Sequence, residues 1–192
     1  MEAVKVLDEL YMFSSYLQPI DLTFNQYQLL GEEPLLVHAG NHSAVVGLAP
    51  KIKELLKGRP LRHIFISHFE SDECGGLKLL MEQFPEACPV CSAVTARQLS
   101  GFGITEQTVI KAPGQSLSLG KYQLQFISYP SEAHLWEGLL AVETARGVLF
   151  SSDLFIRRGG LKESVIKANW AEEVKKIAME QIPNPTALEK LQ

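Results

Sequence analysis

The sequence predicts an α/β fold, and three observations carry that prediction. Short apolar runs such as HIFIS (63–67) and CPVCSAV (88–94) alternate with LKLLMEQF (77–84), whose apolar residues recur at helical spacing. Other strand-like runs come in pairs divided by turn residues, at 31–34, at Pro113-Gly114 and at Gly120-Lys121. Three apolar runs also end directly in loops that carry acidic or histidine side chains.

Residues 4–17 mix strand-like and helical patterns and are assigned to neither. LTFNQYQLL (22–30) and PLLVHAG (34–40), with β-branched and aromatic content and turn residues between them, form a hairpin. Asn41 or Ser43 is the capping residue after the hairpin, and a short helix over 50–56 presents Ile52, Leu55 and Leu56 on one face. Gly58, Arg59 and Pro60 stop it. HIFIS is then a strand of the kind buried on both faces. Its loop holds His68, Glu70, Asp72 and Glu73, and a helix starts within 72–76 and runs to Pro85.

CPVCSAV is the next strand, succeeded by a helical segment over 95–99 that ends at Gly101-Phe102-Gly103. Residues 108–130 read as successive short strands, the last of which, YQLQFISYP, delivers the loop SEAHLWEG with His134. GLLAVETARGVLFSSD (138–153) is a hairpin turning at 144–147, and its second strand delivers Asp153. From Lys162 the chain reads as mostly helix, ANWAEEVKKIAMEQI (168–182), with Trp170 and Ile177 as core positions.

The totals set outer limits. With 192 residues and 46% hydrophobic content, the expectation is one globular domain over 1–192. A formal charge of −4 with interspersed signs leaves no electrostatic footprint for nucleic acid. No apolar run is long enough to span a membrane, and MEAVKVLDELYM lacks the basic-then-apolar order of a secretory leader, so a cytoplasmic location is expected. Cys74, Cys88 and Cys91 are an odd set that argues against a disulfide framework. Cys88 and Cys91 form a C-x-x-C entering a strand, where positions i and i+3 point to opposite faces, so neither a redox pair nor a zinc site is expected.

The first loop concentrates the chemistry. At a strand end His68 and Glu70 face the same way, roughly 6.6 Å apart at Cα, and can converge on one cation. Asp72 would lie roughly 13 Å from His68 if extended, so the chain must curl there or a second ion must sit beside the first. Taken singly, Asp72 also suits a helix cap and Glu73 the positive end of the helix, while His134 and Asp153 suit ordinary turns. Together they favour a metal site built from three strand ends.

In these motifs the chain resembles the flavodiiron proteins and related oxygen-binding diiron proteins, which carry a diiron site on a metallo-β-lactamase fold. Their motif H-x-E-x-D-H precedes a histidine, an aspartate and a last histidine. Here His68-x-Glu70-x-Asp72 matches, His134 comes 66 positions after His68, and Asp153 comes 19 after that. LTFNQYQLL, PGQSLSLGKYQLQF and GVLFSSDLF echo the family's strands, and the similarity covers residues 22 to 160.

The resemblance implies a metallo-β-lactamase-like αββα sandwich, truncated at its C-terminus. His68, Glu70 and His134 would bind a first iron, Asp153 would bridge, and Asp72 with Glu73 as a weaker ligand would serve a second. Phe69 and Trp136 would line the pocket. Glu73 stands where the motif has its second histidine, and no last histidine comes after it. Implied partners are dioxygen or nitric oxide, an external electron donor, since no flavin is expected in the chain, and a second copy in a homodimer. Zinc or manganese also suits such ligands. Three readings are open: an iron-dependent oxidoreductase or gas-binding protein, a metal-dependent hydrolase, and a metal-poor sensor or interaction scaffold.

Overall fold

A computed structural model describes residues 1–104, 107–129, 138–156, 158–167, 169 and 172. Seven strands form the larger sheet in chain order: β1 (Ala3–Leu7), β2 (Leu10–Leu17), β3 (Leu22–Leu29), β4 (Leu35–Val37), β5 (His63–Phe65), β6 (Cys88–Cys91) and β7 (Val109–Ile110). β1 to β4 are antiparallel neighbours, and β4 to β7 run parallel. A second, antiparallel sheet has the order β11-β10-β9-β8, from β8 (Ser116–Leu119), β9 (Tyr122–Ser128), β10 (Leu139–Glu143) and β11 (Val148–Phe150).

The central parallel strands are buried on both faces, as HIFIS predicts. Register aligns Val37 with Phe65 and Phe65 with Val90, and these side chains pack against Leu124, Phe126, Leu139 and Phe150 of the smaller sheet. The alternate residues Leu36, Ile64 and Cys91 face the other way, into a cluster shared with α1 (Val45–Leu56) and α3 (Leu77–Gln83). Period-two alternation thus divides each strand between two apolar layers, one between the sheets and one beneath helices. In the first layer the Phe65 and Phe126 ring centroids lie 5.5 Å apart, the spacing of a favourable tilted aromatic pair.

Two expectations change. The unassigned N-terminal stretch is a hairpin, β1 and β2, turning through Glu9 at φ 55°. Its pattern is ambiguous because consecutive Met12 and Phe13 are both buried, so alternation fails locally. The first helix begins at Val45, not at Pro50, and Pro50 lies inside it. Buried Val45, Leu48, Ala49, Ile52 and Leu56 make one stripe that holds the helix although Pro50 contributes no N–H. Asn41 Oδ1 accepts from Ala44 N at 2.9 Å, capping the single 3-10 turn that leads into it.

The helix after HIFIS is broken into α2 (Ser71–Cys74) and α3 by two glycines. A Cβ on Gly76 would stand 2.4 Å from Val45 Cγ2 and 2.9 Å from Ala39 O, so this close approach demands glycine. α4 (Ala93–Gly101) starts on a Ser92 cap and includes the helical segment expected at 95–99. Among the described residues no helix is long and apolar enough to cross a membrane. The helix expected at 168–182 lies outside the described residues except for Asn169 and Glu172.

Candidate metal centre

Beyond β5 the chain leaves its own sheet. Ile66 N still donates to Val90 O, but Ser67 O accepts from Leu139 N of β10 in the second sheet, at 2.8 Å. This crossing carries His68 to the shared edge of the two sheets. A Cβ on Gly138 would meet Ser67 O at 2.9 Å and His68 Cβ at 3.1 Å, so the approach is tight. The required curling at Asp72 is supplied by α2, in which Cys74 N and Cys74 Sγ both donate to Glu70 O.

From the other side β11 ends in a 3-10 turn, Ser152–Phe155, that presents Asp153. His68 Nε2 lies 3.4 Å from Asp153 Oδ2, 3.7 Å from Glu73 Oε2 and 3.8 Å from Glu70 Oε2. Ligand atoms of His68, Glu70 and Glu73 all lie within 4.8 Å of one another, and so do those of Asp72, Glu73 and Asp153. Glu73 belongs to both groups. By sequence it is the weakest of the ligands, yet it occupies the centre, because one turn of α2 swings it inward to 2% exposure.

Burial dominates the electrostatics. It pushes the Glu73 carboxyl up to about 10, with the Asp72 and Asp153 charges adding to the effect. Asp72 is raised by the same desolvation and by Asp153. The Cys74 thiol rises to about 12, mainly through burial. Glu73 Oε2 is buried with no hydrogen-bond partner among the described residues, as a ligand atom aimed at a cation would be. One imidazole and four carboxylates are the donor set of an oxygen-rich cation site and fit iron or manganese.

Four further residues join this edge. His38 comes directly after the apolar run LLV, much as His68 comes after HIFIS, and the same strand-end reasoning finds it. It takes φ 65°, its Nε2 is buried with no hydrogen-bond partner among the described residues, and desolvation, then the His68 charge, push it down to about 4. Tyr129, at the end of β9, sets its ring 5.5 Å from that of His68. Ser67 and Ser152 touch His68 Nδ1, and each adjoins a residue already singled out.

Phe69 packs on the helix-side cluster, with its ring 5.0 Å from that of Phe102. His134 and Trp136 lie outside the described residues. Cys74, Cys88 and Cys91 form no disulfide with one another, and Cys91 faces the helix-side cluster.

A family model described as ODP family beta lactamase matches residues 22–182. The chain belongs to that family. This ODP-family chain is 28% identical over 145 residues to the uncharacterized protein YobT of Bacillus subtilis, covering 69% of this chain and 61% of YobT. It is 27% identical over 135 residues to a nitric oxide reductase of Moorella thermoacetica, covering 69% of this chain and 34% of the reductase. The chain thus spans less than two thirds of these relatives.

Among solved structures, the rubredoxin oxygen:oxidoreductase of Desulfovibrio gigas superposes with a TM-score of 0.80 at 21% identity, covering 99% of this chain and 53% of that one. The fold of the ODP-family chain is therefore the metallo-β-lactamase-like α/β sandwich of flavodiiron proteins, as the H-x-E-x-D spacing implied.

Proposed function

We propose that this chain is a non-haem iron protein of the diiron class that binds dioxygen or nitric oxide and, given electrons by an external donor, reduces it. The observation that supports the reading is the shared position of Glu73 in two adjoining ligand groups, an arrangement that would suit two cations side by side. In this reading His68, Glu70 and His134 would hold the first iron, Asp153 would be shared, and Asp72 and Glu73 would serve the second, with Glu73 also in reach of the first. Iron held there would pass electrons from the external donor to the diatomic substrate.

The chain's own residues do the rest. Buried His68 and Glu73 exclude water from the inner face of the site, while Glu70, with its side chain 40% exposed, keeps the outer face open. A second copy completes a homodimer, and the protein works in the cytoplasm.

One observation favours a second reading, a metal-poor scaffold or sensor. Glu73 stands where the family motif has histidine, and burial together with the Asp72 and Asp153 charges raises its carboxyl, which favours the neutral acid wherever no cation offsets the charge.

Metal identity and stoichiometry decide between them, measured on protein purified without added metal or chelator. Two irons per chain with an oxo-to-iron charge-transfer band support the diiron reading; one or none supports the scaffold. Zinc with turnover of a generic ester overturns both in favour of hydrolysis. His134→Ala should abolish metal retention, and unchanged metal content removes that ligand from the assignment.

A further inference from the structure

The His68 ring is held from behind by two hydroxyls. Ser67 Oγ lies 3.0 Å from His68 Nδ1, and Ser152 Oγ lies 2.8 Å from Ser67 Oγ and 3.4 Å from the same ring nitrogen. Ser67 is fully buried and His68 nearly so, so water does not replace these contacts. The serines come from loops 85 residues apart, Ser67 after β5 and Ser152 after β11, and Ser152 directly precedes Asp153.

Backbone conformation makes Ser152 unusual. It adopts φ 49°, a left-handed conformation that strains any residue with a Cβ and that glycine would take freely. What serine offers there in exchange is its hydroxyl. A strained residue beside a candidate site points to a role for the side chain it keeps.

We propose that Ser67 and Ser152 are positioning residues, a two-hydroxyl clamp that fixes the His68 ring and ties the His68 loop to the Asp153 loop. When Nε2 gives its lone pair to a cation, Nδ1 must carry the ring proton. Nδ1–H then donates to Ser67 Oγ, and the Ser67 hydroxyl donates to Ser152 Oγ. Outer contacts of this kind set ring direction and ligand basicity. The consequence for metal affinity rests on the metal-site reading; the contact to Nδ1 does not.

The test uses Ser152→Gly and Ser67→Ala in the full chain, with zinc alone as a diamagnetic probe. Ser152→Gly relieves the strained backbone, so its melting temperature should match or exceed the wild type, which separates loss of the hydroxyl from loss of the fold. Zinc affinity, by chelator competition, should fall about 10- to 100-fold in each variant. In the metal-free chain the His68 Nδ1 resonance in nitrogen-15 NMR should move in both variants. An unmoved resonance in Ser152→Gly overturns the clamp whatever zinc does. A moved resonance with unchanged zinc affinity overturns the positioning role. A wild-type chain that takes no zinc sinks the metal-site reading instead, and the resonance alone then decides the clamp.

Discussion

Oε2 of Glu73 lies 3.7 Å from Nε2 of His68, and both side chains are 3% exposed. A carboxylate charge so deeply buried among other acids is costly unless a cation or a proton neutralises it. In the metal-site reading a bound cation would displace that proton.

Metal uptake should release protons. At pH 8 the wild type should give up about one more proton per chain on binding a divalent cation than Glu73→Gln does, and its affinity should rise with pH. Calorimetry in buffers of different ionisation enthalpy measures both. Equal proton release in the two proteins would place the displaced proton elsewhere.

The metal-free chain should also carry a pH signature in its stability. Glu73 is raised from 4.5 to about 10, so across that window the folded state holds a proton the unfolded chain lacks. Stability then falls as pH rises, by up to about 1.4 kcal/mol per pH unit. His38 is lowered from 6.5 to about 4, so the unfolded chain binds the extra proton and stability is lost as pH falls between those values. The two slopes oppose each other from about pH 4.5 to 6.5; above that Glu73 sets the slope, and from about pH 9 the raised Cys74 thiol adds to it in the same direction. Urea unfolding across pH should show Glu73→Gln flattening the upper limb. His38→Asn, a residue that tolerates the left-handed backbone, should flatten only the lower one.

Gly76→Ala should cost about 1 to 3 kcal/mol by overpacking, because its new methyl would collide with Val45 Cγ2 and crowd Ala39 O. Since α2 is anchored through this glycine, bound metal per chain should fall with stability. Denaturant midpoints and metal analysis on the same preparation check the pairing.

Phe65→Ala should cost about 3 to 5 kcal/mol by opening a cavity between the sheets. Phe65 is fully buried, pairs with Phe126 and lies with its ring 6.4 Å from that of His38. The loss should therefore reach the site as well as the core. Urea unfolding measures the first, and the His38 ring resonances the second.

The parts of the fold that could be read from residues are those governed by local chemistry. Turn residues at 31–34, 113–114 and 120–121 and the short apolar and β-branched runs placed β3 to β11. The spacing of His68, Glu70 and Asp72, with Asp153 at a later strand end, was likewise legible in the chain itself.

Packing decided the rest. Met12 and Phe13 became strand residues because both faces of β2 are covered, and Pro50 stayed inside α1 because the buried stripe outweighs one missing N–H. Glu73 moved from the margin to the centre, and His38, Ser67, Ser152 and Tyr129 joined the edge, because loops distant in sequence converge where the two sheets meet. Burial, and with it the cost of charge, depends on which chain segments close over a side chain, and neighbours along the sequence do not specify that.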